Sequence, residues 1–132
     1  MSQENVEIMR KAIEAFNRRD AEGFGALFVK EAEIVPVRAV LEGTVYRGPD
    51  AGAQYCAAVD ASWENLTWEV EAVRDDDNWV VALGHIRGRG RGSGADFDAQ
   101  GAWLARFHGG RLTHFRTYPE RAAALEAVGL EE

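Results

Sequence analysis

The stretch LTWEVEAV, residues 66–73, decides the fold class, because the chain changes there from helical to strand periodicity. Apolar and polar side chains alternate through it with a period of two, which predicts a β-strand with one buried face and one face in water. A helix would instead repeat its apolar positions every three to four residues. The predicted buried face is Leu66, Trp68, Val70 and Ala72, and the wet face is Thr67, Glu69 and Glu71.

Strand patterns continue downstream of this stretch as far as residue 118. The segments DDDN (75–78) and HGG (108–110) are rich in turn-forming residues and separate the apolar runs. Pro119 ends the last run, because proline has no N–H for a sheet ladder. Further strands are therefore predicted at 78–87, 97–107 and 111–118.

Upstream of residue 66, the apolar positions follow helical spacing. A first helix is predicted over 3–18, where they recur every three or four residues. Asp20 is expected to cap a short second helix, because its carboxylate can accept from a free N–H of the first turn. The apolar positions of that second helix are Phe24, Leu27 and Phe28.

The middle and the end of the chain complete the order of elements. Short strands are predicted at 32–37 and 43–48, and a third helix over 50–62. A C-terminal helix over 120–130 is expected to end at Gly129 in a left-handed cap. Helices come first and an antiparallel meander follows, which is typical of the α+β class. With 132 residues, the chain is expected to form one domain, 1–132.

Composition excludes several classes of function. The net charge of −7 opposes binding to nucleic acid or to an anionic membrane, because phosphates repel a negative surface. The single cysteine, Cys56, cannot form an intrachain disulfide, and we expect a buried, inert thiol. The amphipathic start lacks the apolar core of a signal peptide, and no apolar run is long enough to span a bilayer. A cytoplasmic location is expected.

The stretch RGRGRGSG, residues 87–94, has three possible interpretations. A phosphate-binding loop would need a helix after the glycines, and a strand pattern follows instead. An RNA-binding segment would need a basic surface with interleaved aromatic residues, which this acidic chain lacks. The favoured interpretation is a long hairpin in which Arg87, Arg89 and Arg91 lie on one side and residues 92–94 turn the chain.

Several phrases carry a resemblance to a known family: AFNRRDAEGFGALFVKEAEIVPV (15–37), LEGTVYRGPDA (41–51), the 87–94 hairpin and GGRLTHFRTYPERAAALEAVGL (109–130). With the order of elements, they make the chain resemble the SnoaL-like family of the NTF2-like superfamily over nearly its whole length. This resemblance implies a cone: a curved, mostly antiparallel sheet wrapped around about three helices, with a short C-terminal helix. The fold hosts many functions, so function must be argued from the site.

The resemblance also implies a cavity between the sheet and the helices. The chain has many large aromatic rings for one small core, and rings of this kind can line a pocket for an apolar molecule. A polar group among them would orient such a ligand through a hydrogen bond. The predicted lining is Phe16, Tyr55, Trp63, His85, Trp103, Phe115 and Thr117.

Two known chemistries of the superfamily lack their reactive groups here. Ketosteroid isomerases use a tyrosine and an aspartate at the positions that resemble Ala12 and Val35, and neither side chain can donate or accept the proton. Limonene-epoxide hydrolases have an aspartate where this chain has Thr117, and its hydroxyl is too weak an acid or base for that role. His85 is the remaining acid–base candidate, because an imidazole titrates near neutral pH.

Three functions stay open on the sequence. The first is a cofactor-free isomerase, cyclase or hydratase that acts on an apolar, ring-bearing substrate. The second is a non-catalytic protein that binds such a molecule, and the third is a dimerisation domain. The three histidines lack the spacing of metal ligands, so neither a metal nor a cofactor is expected. A homodimer is expected through the outer sheet face, since a sheet covered on one side leaves an apolar face open.

Overall fold

The computed structural model describes residues 2–36 and 45–130, and these residues form one six-stranded sheet with helices on both faces. The helices are α1 (Ser2–Asn17), α2 (Ala21–Gly25), α3 (Ala51–Ser62) and α4 (Arg121–Glu126). The strands are β1 (Phe28–Val35), β2 (Tyr46–Arg47), β3 (Trp63–Asp75), β4 (Trp79–Gly90), β5 (Asp96–His108) and β6 (Arg111–Tyr118).

The sheet is curved and mostly antiparallel, in the order β2-β1-β6-β5-β4-β3. Its one parallel pair is β1 with β6. The long strands β3 to β6 are joined by short turns, as the alternating pattern predicts, and the hairpin between β4 and β5 contains residues 87–94. The α+β prediction and the hairpin interpretation are both confirmed.

The inner face of the sheet, which packs against α1, α2 and α3, carries the main core. Trp68 stacks on Phe16 of α1 with ring centroids 3.6 Å apart and planes 7° from parallel. Phe115 of β6 stacks on the same Trp68 at 5.6 Å. Each buried aromatic ring removes a large apolar area from water, so this stack contributes strongly to the free energy of folding.

The outer face differs from the expected open apolar surface. At one end α4 covers it with Ala124 and Leu125, and at the other end the strands carry ion pairs such as Arg89–Asp96. Phe97 is the exposed large hydrophobic residue of the described structure, and it lies on the inner side of the sheet. The outer face is therefore not the open apolar surface on which the homodimer prediction was based. The homodimer itself stays a prediction.

A β-bulge in β3 changes which side chains point inward. Val70 pairs with Gly84, but the next pair is Ala72 with Leu83, so one residue is extra in β3. The predicted alternation places Ala72 inside, and the structure instead exposes it and packs Val73 against the core. The bulge depends on Gly84, because a Cβ there would lie 1.8 Å from the Glu69 carbonyl oxygen.

Other boundaries shift by a few residues. Helix α2 ends at Gly25, so Phe28, expected on that helix, begins β1. The predicted strands 32–37 and 43–48 extend in part beyond the described residues. The C-terminal helix is shorter than predicted, but Gly129 has the expected left-handed φ of +79°, and the Leu130 N–H donates to the Leu125 carbonyl at 2.8 Å. None of the described helices has the length and apolarity needed to cross a bilayer.

Candidate functional site

A half-open cavity of about 760 Å³ lies between α3 and the inner face of β3 to β6. Its inner wall is made of buried side chains, and its mouth is made of exposed ones. The mouth includes Trp63 and Phe97, whose ring centroids are 5.2 Å apart. The buried part of the wall is formed by Tyr55, Val59, Leu66, Trp68, Ile86 and Thr117.

Helix and strand periodicity explains how these residues meet. Tyr55 and Val59 are four residues apart on α3 and therefore lie on one face of the helix. On β6, Phe115 and Thr117 are two residues apart and point to the same side of the sheet. Trp103 lies directly across from Thr117 in the β5–β6 register, so it packs behind the cavity wall.

The inner wall contains two hydroxyl groups. Burial raises the pKa of the Tyr55 phenol, and the nearby Thr117 hydroxyl offsets part of that rise. Within the described parts of the chain, Thr117 Oγ1 has no hydrogen-bond partner of good geometry, and the same holds for the indole Nε1 of Trp103. Both side chains are buried, with exposed fractions of 4 % and 0 %. The wall thus offers uncharged hydrogen-bonding groups.

The tip of the 87–94 hairpin forms part of the mouth. The Arg91 N–H donates to the Ser62 carbonyl at 3.1 Å, and Arg91 Nε donates to the Asp60 carbonyl. These are carbonyls at the C-terminal end of α3, where a cation is favourable. Arg91 also lies 3.8 Å from a Glu64 carboxylate oxygen. The sequence predicted only a turn here, and the contact with α3 makes this turn a wall of the cavity.

Arg19 connects the elements that surround the cavity. Its Nε donates to Asp60 Oδ1 at 2.7 Å and its Nη2 to the Leu66 carbonyl at 2.5 Å. Its guanidinium lies 4.3 Å from the centre of the Phe16 ring. Asn17, two residues earlier, makes paired hydrogen bonds to the backbone of Trp68 at 2.8 and 2.9 Å. The end of α1 is thereby fixed to α3 and β3.

The structure places six of the seven predicted lining residues on the inner side of the sheet, in two groups. Tyr55, Trp63 and Thr117 line the cavity. Phe16, Trp103 and Phe115 are fully buried and pack behind the wall. Lining residues missed from the sequence include Val59, Leu66, Trp68, Ile86, Phe97 and Gln100.

His85 lies on the outer face, which corrects the prediction that it lines the cavity. Strand β4 alternates strictly, so Ile86 points to the cavity and His85 points away from it. His85 Nδ1 lies 3.0 Å from Asp98 Oδ1, and its Nε2 lies 3.5 Å from Glu71 Oε1. Glu71 also contacts Arg121 of α4. The imidazole therefore contacts the carboxylates of an outer-face network that also includes Arg87 and Arg121.

Cys56 and His114 lie outside the cavity wall. Burial raises the pKa of the Cys56 thiol, which is enclosed in the core as expected. Burial lowers the pKa of His114, although Glu33 at 3.7 Å opposes this effect. Residues 2–36 and 45–130 contain no group of three or more His, Cys, Asp or Glu side chains that could hold a metal ion.

Residues 9–115 match the family described as the SnoaL-like domain, and the chain belongs to this family. It is similar in structure to a hypothetical protein with a ketosteroid isomerase-like fold from Catenulispora acidiphila, solved with trimethylamine. The identity is 22 %, the TM-score is 0.77, and 94 % of this chain and 93 % of that chain are covered.

Two further solved structures show the same fold. One is a proposed polyketide cyclase from Xanthomonas campestris, with 19 % identity, TM-score 0.77 and coverage of 90 % and 92 %. The other is TerC, co-crystallised with polyporic acid, with 17 % identity, TM-score 0.78 and coverage of 93 % and 96 %. No curated protein matches the chain in sequence. At these identities, the likeness establishes the fold, and the function has to be argued from the cavity.

Proposed function

We propose that the chain binds an apolar, ring-bearing small molecule in the cavity beside α3. One observation carries the proposal: a space of about 760 Å³ whose buried wall combines aromatic and aliphatic side chains with two hydroxyls. This volume lies within the range of typical ligand pockets, and an apolar wall with a few placed polar groups is their usual composition. A flat ring would contact the wall over a large area, and a hydroxyl would orient it.

The charges of the described residues favour binding over acid–base catalysis. The described lining contains no carboxylate or imidazole. Arg91 is its charged member, and its guanidinium is already bound to the end of α3. A general acid or base with a pKa near neutrality is what an isomerase or hydratase of this kind would use.

A matched pair of substitutions on α3 tests the proposal. Ala58 lines the cavity, and its neighbour Ala57 is exposed on the other side of the helix. Neutral two- and three-ring compounds are screened for the shift that they produce in the melting temperature. Ala58→Trp is expected to reduce the shift of every hit because the indole obstructs the cavity, and Ala57→Trp is expected to leave it unchanged. Equal effects of both substitutions would overturn the proposal.

A cofactor-free cyclase or isomerase is the second candidate. The proposed polyketide cyclase among the similar structures motivates it, as does the pair of cavity hydroxyls, which can donate to a developing oxyanion. Compounds that bind in the screen are incubated with the protein and analysed by mass spectrometry and NMR. Conversion that Ala58→Trp abolishes would favour the enzyme, and unchanged compounds would leave binding as the function.

A further inference from the structure

The hydroxyl of Thr117 is the starting point, because it is buried and has no well-aligned hydrogen-bond partner among the described residues. Thr117 is 4 % exposed and lines the cavity, and the nearby phenol of Tyr55 is not placed to make a hydrogen bond of good geometry with its Oγ1. Buried polar groups are nearly always paired, since an unpaired one loses its hydration without compensation. The partner of this hydroxyl is therefore expected to come from whatever occupies the cavity.

Two other groups lie beside Thr117, Tyr55 in the cavity lining and Trp103 behind the wall. Tyr55 contributes a phenol that lies near the Thr117 hydroxyl, and burial keeps this phenol protonated because it raises the pKa. Trp103, the cross-strand neighbour of Thr117, adds a buried indole N–H that is also unpaired within the described residues. An indole N–H donates only, and both hydroxyls can donate as well. The cluster therefore favours a hydrogen-bond acceptor.

The described residues that line this end of the cavity carry no formal charge. Within the described lining, the charged residue is Arg91, which is exposed at the mouth and held by the C-terminal carbonyls of α3. A carboxylate placed beside Thr117 would lose its hydration without gaining a cation, and an ammonium would gain no anion. An uncharged hydrogen-bond acceptor needs neither a cation nor an anion beside it, so it fits this end of the cavity.

We propose that Thr117 and Tyr55 form a subsite for an uncharged acceptor oxygen, such as a ring-ketone carbonyl, on the molecule bound in the cavity. This inference rests on the proposed function. The carbonyl oxygen accepts from Thr117 Oγ1 and from Tyr55 Oη, and the rest of the ligand contacts the apolar wall. Thr117 is thus a residue that determines specificity.

Four compounds with one ring system test the chemistry. Calorimetry measures the dissociation constants of 2-acetylnaphthalene, 2-ethylnaphthalene, 1-(2-naphthyl)ethanol and 2-naphthoate. The ketone is expected to bind roughly tenfold tighter than the hydrocarbon, as two neutral hydrogen bonds would provide. Tighter binding of the alcohol or the naphthoate than of the ketone would overturn the subsite.

Matched variants test whether Thr117 and Tyr55 cause the preference for the ketone. Thr117→Val and Tyr55→Phe are each expected to weaken ketone binding about three- to tenfold and to leave 2-ethylnaphthalene unchanged. Thr67→Val and Tyr118→Phe make the same chemical changes on the outer face. They are expected to change the binding of neither the ketone nor 2-ethylnaphthalene. If Thr117→Val fails to fold, Thr117→Ser, which keeps the hydroxyl, must keep the ketone preference, and Tyr55→Phe must still lose it.

The outcomes separate the subsite from the function on which it rests. If the ketone and the hydrocarbon bind equally well and Ala58→Trp blocks both, the cavity binds ligands and the subsite is wrong. If neither compound binds and no other ring compound shifts the melting temperature, the proposed function is wrong, and the subsite with it.

Discussion

Strand β4 allows two regions of the molecule to be compared within one element. Ile86 reaches the cavity on the inner face, and His85, one residue earlier, reaches an ion-pair network on the outer face. The inner face is held by stacked rings and by partly buried hydrogen bonds from Arg19 and Asn17. The outer face is held by α4 and by exposed ion pairs.

The difference shows where stability and binding reside. Exposed ion pairs contribute little each, because water screens them and two long side chains must be ordered. Buried rings contribute much more, because their whole area leaves water. The inner face therefore has both the larger share of the stability and the space for a ligand. Substitutions on the inner face should therefore lower the free energy of unfolding more than substitutions on the outer face.

Trp68→Ala is expected to have the largest effect. Trp68 is 2 % exposed and stacks on Phe16 and Phe115, so its removal leaves a large hole in the wall of the cavity. The free energy of unfolding should fall by about 4 kcal/mol. Urea denaturation followed by circular dichroism measures it. A loss no larger than that of an exposed outer-face residue would break the comparison.

Arg19→Ala is expected to cost about 3 kcal/mol, because it removes charge-assisted hydrogen bonds to two other elements and leaves the Leu66 carbonyl without this donor. The neighbouring Arg18 is the control, since its side chain is 63 % exposed and its nearest carboxylate oxygen is 4.0 Å away. Arg18→Ala should change the free energy of unfolding by less than about 0.5 kcal/mol. Similar losses for both would contradict the role of Arg19.

Arg121→Ala tests the outer face. Arg121 contacts Glu71 and donates to the Gly84 carbonyl at 3.3 Å, which fixes α4 to the sheet. Glu71 is half exposed, so we expect a loss of only about 1 kcal/mol. Amide hydrogen exchange should show earlier opening of residues 121–126, while the inner-face strands keep their protection. Unchanged exchange in α4 would show that apolar contacts alone hold this helix.

The smallest expected effect comes from pH. Burial lowers the pKa of His114 below its ordinary 6.5, with Arg106 and Arg116 adding to the shift and Glu33 opposing it. The unfolded chain therefore binds the proton more readily, so stability is complete above pH 6.5 and falls as the pH drops toward the lowered pKa. His114→Gln should flatten this dependence between pH 7 and pH 5 in melting experiments. If the melting temperature of the variant depends on pH as before, other groups cause this dependence.

Much of the fold could be predicted because local patterns agree with it. The strands predicted from residue 66 onward correspond to β3 to β6. Asp20 caps α2 by accepting from the Gly23 N–H at 2.9 Å, and Gly129 ends the C-terminal turn. The site was harder to predict, because a ring on a strand is buried whether it lines a cavity or fills the core. Phe16, Trp103 and Phe115 look like Trp63 in the sequence, yet they lie behind the wall.

The sequence by itself determined the order of helices and strands, the hairpin at 87–94 and the family resemblance, because each depends on residues that are near one another in the chain. Only the tertiary structure decided that His85 faces outward, that Arg91 closes one side of the cavity and that Thr117 has no well-aligned partner among the described residues. These outcomes depend on strand register, on a bulge and on contacts between elements that are far apart in the chain. A shift of one residue would reverse the face of every side chain in a strand, and only packing against the helices fixes that choice.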